Sequence, residues 1–158
     1  MTRMNWAPVV VILGAVVALA GTGHGEARAD EPEGNRACND STLRGTYGIQ
    51  ISGTRPSAPG GPMESVIGVV IRHYDGLGQF TQVDNVKGSI SGIVPDRQGS
   101  GFYQVNDDCS GFTQAQPGPG ILLEERFVIV DNGNEIRSMT SLPPLVMVTG
   151  TYKRIHTR

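Results

Sequence analysis

The sequence predicts an all-β chain, an antiparallel up-and-down β-barrel of about eight strands. Three observations lead there. Glycine (22) and proline (10) make up about a fifth of the 158 residues and aromatics are few, which suits short strands joined by tight turns and disfavours long helices. Apolar residues recur with a period of two in one segment after another. The links between those segments are short, and a meander of that kind removes its exposed edges by closing on itself. A two-sheet sandwich is the alternative, although short local turns suit a meander better than Greek-key crossovers.

Residues 1–29 read as a cleaved secretory signal peptide. Arg3 precedes an apolar run at 9–20 (VVVILGAVVALA), and Ala27-Arg28-Ala29 matches a small-x-small cleavage pattern, so the mature chain is expected to start at Asp30. The run is short of the roughly twenty residues a membrane span needs, which weighs against the alternative of an uncleaved anchor. A secreted or periplasmic location follows. The remaining chain of about 129 residues suffices for one domain with a real core, divided as a leader over 30–44 and a single barrel domain over 45–158. It holds 11 basic and 14 acidic residues, a net charge of about −3 with no block of like charge. That balance argues against a nucleic-acid or anionic-membrane partner. Cys38 and Cys109 both survive cleavage, and an even pair in an exported chain most simply forms one disulfide. A catalytic thiol would leave an odd partner open to oxidation.

The elements follow in order. Residues 40–43 form one helical turn ahead of Gly45. From Thr46 the chain alternates, with Tyr47, Ile49 and Ile51 on one face. Residues 55–62 (RPSAPGGP) are a loop, since three prolines and two glycines cannot sustain a ladder. Residues 64–74 form the next strand and return through 79–87 after the turn at 75–78. A further strand is expected at 88–94, a turn at 95–100, and a strand at 101–106. A turn at Asp107-Asp108 leads into 110–116, and 117–120 (PGPG) breaks the chain. The clearest local structure is 121–142, two strands joined by a two-residue turn at Asn132-Gly133, where Asn-Gly supplies both positive-φ positions. Residues 145–155 close the domain. A glycine followed two residues later by tyrosine recurs at Gly45/Tyr47, Gly101/Tyr103 and Gly150/Tyr152, as expected where a barrel strand bends and a ring fills the gap.

Catalytic signatures are sparse. There is no G-x-S-x-G elbow, and the mature chain has only His73 and His156. No metal site is expected once the cysteines pair, and no cofactor is implied. Glu125 is the residue of interest. It shares a face with Ile121, Leu123, Phe127 and Ile129, and a carboxylate on an apolar interior face has its pKa raised and can act as acid or base. The alternatives are that this face is exposed, or that Glu125 pairs with Arg72 or Arg137 across strands. Asp84 and Asn85 form a second polar pair directed at a pocket. First and last strands of a closed meander are neighbours, so Tyr47, Ile49, Glu125, Phe127 and Tyr152 are the expected ligand-binding residues.

The runs at 38–48 (CNDSTLRGTYG), 75–84 (DGLGQFTQVD) and 128–133 (VIVDNG) resemble a group of exported bacterial proteins without assigned function. Their pattern is similar to the calycin-like barrel of allene oxide cyclase and dirigent-type proteins. That resemblance implies a barrel that takes apolar molecules inside and can steer cyclisation with few catalytic groups and no cofactor. Three functions stay open at this point: binding of a small apolar or amphipathic molecule, cofactor-free cyclase or isomerase activity, and a structural or interaction role for a barrel filled with side chains. Whether the chain is an enzyme, and its oligomeric state, are left open as well.

Overall fold

Eight strands, each showing one face inward and one outward, pair in chain order until the last meets the first. In the computed structural model, which describes residues 37–118 and 120–156, these are β1 (Arg44–Pro56), β2 (Met63–Asp75), β3 (Gln79–Gly88), β4 (Gly92–Val105), β5 (Ser110–Gly118), β6 (Ile121–Val130), β7 (Glu135–Leu142) and β8 (Met147–Arg154). All neighbours are antiparallel, and β1 closes against β8 with Tyr47 opposite Arg154 and Ile49 opposite Tyr152. Closure leaves no edge to template aggregation. The signal-peptide expectation lies outside the described residues.

One end of the barrel is plugged. A 3-10 turn, Asp40–Leu43, lies there, opened by Asn39, whose side chain accepts from the Ser41 N–H while its own N–H donates to Thr42 Oγ1. The turn inserts fully buried Leu43 among the strand ends. Tyr103 donates to the Asp40 carbonyl (3.0 Å), Val105 N–H donates to Asp40 Oδ1 (2.8 Å), and Arg154 Nη2 donates to the Thr42 carbonyl (2.9 Å). The Cys38–Cys109 disulfide, spanning 71 residues, ties this segment to the β4–β5 turn. Beneath it Tyr74 stands edge-on to Tyr47 and Tyr103 and tilted against Phe80, with centroids 5.4, 4.9 and 5.6 Å away. Each such ring, once buried, contributes roughly 1.5–3 kcal/mol. This aromatic cluster belongs to a core that also takes in Leu43, Ile49, Val70, Phe127, Ile129 and Ile136.

Two strand glycines make room for rings of the facing strand. A Cβ on Gly101 would stand 2.6 Å from the Phe80 ring, and one on Gly111 2.3 Å from the Phe127 ring. Both rings lie directly across the ladder from their glycine.

Two links differ from the sequence reading. Residues 92–105 form one strand rather than two strands and a turn. Pro95 sits at a bulge where Asp96 takes φ 49° and the register against β3 slips by one, so the proline needs no ladder partner. The β6–β7 connection is likewise not a two-residue turn. Asp131, Asn132 and Gly133 all take positive φ in a short 3-10 turn, and Asn134 completes the link. The Gly133 carbonyl accepts from Tyr47 (2.5 Å), so the plug rather than hairpin geometry alone shapes this turn.

Candidate functional site

The opposite end, framed by the β1–β2, β3–β4 and β7–β8 links, is open and leads to a cavity of about 460 Å³. That lies within the roughly 300–1,000 Å³ of small-molecule sites. Its wall is aliphatic: Ile49, Ile51, Val66, Val70, Leu123 and Val148. Its floor is polar, and lies where the cavity meets the aromatic plug.

Arg72 on β2 is the centre of that floor. Period-two alternation turns it inward between Val70 and Tyr74, while Ile67, Val69 and Ile71 point outward and are exposed. The face of β2 richer in aliphatics is therefore the outer one. The Arg72 guanidinium lies 4.3 Å from the Phe80 ring centroid and 5.4 Å from that of Tyr152, capping the plug with a cation–π contact. Its Nε donates to Gln82 Oε1 (2.9 Å), and its Nη1 to Glu125 Oε2 (3.0 Å), Tyr74 OH (3.2 Å) and Tyr152 OH (3.4 Å). Glu125 Oε2 also accepts from Thr113 Oγ1 (2.8 Å) and Tyr152 OH (3.1 Å). Gln82 passes the network on to Asp84 (3.2 Å), which Arg97 grips with two bonds of 2.9 and 3.1 Å.

This arrangement corrects the expected behaviour of Glu125. Burial does push its carboxyl upward, but the Arg72 guanidinium and the Thr113 and Tyr152 hydroxyls outweigh burial, and the pKa is lowered from its ordinary 4.5. Glu125 is an ionised acceptor at neutral pH and holds no proton to give as an acid. Burial raises the phenols of Tyr152 and Tyr74, which stay protonated.

Of the five expected residues, Ile49, Glu125 and Tyr152 line the cavity. Tyr47 and Phe127 face inward but belong to the plug, Tyr47 fully buried with its hydroxyl on Gly133 and Phe127 against Gly111. Asp84 reaches the cavity, whereas Asn85 points outward and bonds to Asp96 at the bulge. Sequence reasoning gave Arg72 only as a partner for Glu125, and did not find Gln82 or Arg97. Their signal is present in the strand period, since Arg72 alternates with Val70 and Tyr74, and Gln82 and Asp84 with Phe80 and Val86.

Fold and site together define a small closed barrel, plugged at one end, with a ligand-sized apolar cavity over a buried ion-pair floor. Comparison with protein-family models, curated proteins and solved structures gives no significant match to this chain.

Proposed function

We propose that this chain is an exported barrel that binds a small apolar or amphipathic molecule in its cavity, body against the aliphatic wall and polar end on Arg72, Glu125 and Tyr152. The observation that carries the reading is the cavity of about 460 Å³, with aliphatic walls and a convergent polar cluster at its floor. A barrel filled solid with side chains would leave no such space. The disulfide supports export, because such bonds persist in oxidising compartments. The resemblance of the strand-and-turn pattern to allene oxide cyclase and dirigent-type proteins is in keeping with the same use of the interior. The cyclase reading needs an inward acid or base such as Glu125, and the lowered pKa speaks against the proton-donor role.

A solvent extract of the purified protein, examined by mass spectrometry, is expected to release a small apolar molecule in stoichiometric amount. Leu123→Trp, which places a large ring in the cavity, is expected to lose that molecule while keeping the far-ultraviolet spectrum of the barrel. Equal ligand content in both proteins would count against the cavity as the binding site.

A further inference from the structure

Two atoms of the cavity floor have no partner among the described residues. Arg72 uses Nε on Gln82 and Nη1 on Glu125, Tyr74 and Tyr152, but its Nη2 donates to no group among the described residues. Glu125 concentrates its three accepted bonds on Oε2, and its Oε1 accepts none from the described residues. Among the described residues no sealed side-chain nitrogen or oxygen lacks a partner, so these two open atoms face accessible space, and both residues line the cavity. Nη1 and Oε2 are joined at 3.0 Å, and Nη2 and Oε1 are the other atoms of the same two groups. The floor thus offers a free donor beside a free acceptor.

Its charges are already matched. Arg72 pairs with Glu125 (3.0 Å), Arg97 with Asp84 (2.9 Å) and, at the rim, Arg55 with Glu64 (3.0 Å). A ligand carboxylate would find no free cation among the described residues that line the cavity. To bind Arg72 as an ion pair it would have to displace Glu125 and leave that charge unpaired, a costly exchange in a site whose pair is only 4% and 13% exposed. A ligand ammonium faces the converse cost at Arg72.

We infer that the molecule this cavity takes carries an uncharged head group that both accepts and donates a hydrogen bond, a hydroxyl or a carboxamide, on an apolar body. Its oxygen accepts from Arg72 Nη2 and its O–H or N–H donates to Glu125 Oε1, completing the floor without disturbing either ion pair. This inference rests on the binding reading above and adds the chemistry of the head group.

The test is calorimetric titration of the ligand-stripped protein at neutral pH with four probes sharing one chain: decanol, decanamide, decanoate and decylammonium. Decanol and decanamide are expected to bind at least about tenfold tighter than either ion, a difference of about 1.4 kcal/mol. Decanoate or decylammonium binding as tightly as decanol overturns the inference and leaves the binding reading standing. Absence of binding by all four overturns both. Glu125→Gln removes one negative charge and frees Arg72, so decanoate should gain about tenfold relative to decanol, and an unchanged ratio overturns the charge-matching argument. Should that variant not fold, the four-probe series on the unaltered protein decides alone.

Discussion

Arg72 and Glu125 hold each other in a state neither would keep alone. Removing the cation strands a carboxylate that burial already pushes upward, so Arg72→Met is expected to cost about 3–5 kcal/mol in a urea titration. Replacing both, as Arg72→Met with Glu125→Leu, removes the uncompensated charge and should recover most of that loss. Additive losses in the double variant would show that the pair does not act as a unit. At Gly133 the constraint is steric. It takes φ 83°, and a Cβ there would stand 2.9 Å from the Thr42 carbonyl oxygen. Gly133→Val should therefore lower stability by about 1–3 kcal/mol, and an unchanged urea midpoint would contradict the placement of this turn beneath the plug.

Among the elements, the segment from Cys38 to Leu43 has no ladder of its own and is held by its contacts with the strand ends. The disulfide spans 71 residues, a separation worth about 4 kcal/mol of denatured-state entropy in the chain-entropy model. Replacing Cys38 and Cys109 with serine is expected to lower stability by about 2–5 kcal/mol while the strand spectrum persists. Loss of the whole barrel spectrum at room temperature would mean that the bridge does more than fasten the plug. The β3–β4 turn is held in another way. Glu64 Oε2 accepts from the Ile90 and Ser91 N–H groups at 2.9 and 2.8 Å, and its Oε1 from the Ser91 hydroxyl at 2.7 Å. These donors fold the turn onto the cavity rim and, with Arg55, hold the Glu64 carboxyl down at about 2.

For the whole molecule, these shifts fix the shape of stability against pH. Glu64, lowered from 4.5 to about 2, and Glu125, also lowered, bind protons more weakly folded than unfolded. Their contribution is complete above the unfolded value and is lost as pH falls through the folded ones. Tyr47 runs the other way. Burial raises its phenol from 10.0 to about 12, so its contribution is complete below 10.0 and lost as pH rises toward 12. Urea midpoints should be level between about pH 5 and about pH 9 and fall on both sides. A midpoint that rises on acidification from pH 5 would contradict the ion-pair floor.

What the sequence determined by itself is local or periodic. The all-β class, the meander order and the turn ahead of Gly45 follow from alternation, turn residues and short links. Cys38 and Cys109 are the two cysteines of the sequence, and that even count alone points to the bridge they form. Only the tertiary structure decided which end is plugged and which is hollow. Tyr47 and Tyr152 share an alternation pattern, yet one is packed beneath the 3-10 turn and the other faces the cavity. It also decided the state of Glu125, because its partner Arg72 stands 53 residues away in sequence and on another wall of the barrel. A period of two tells which side chains point inward. Closure and shear decide which of them meet at one level, and that meeting sets the charge of the floor.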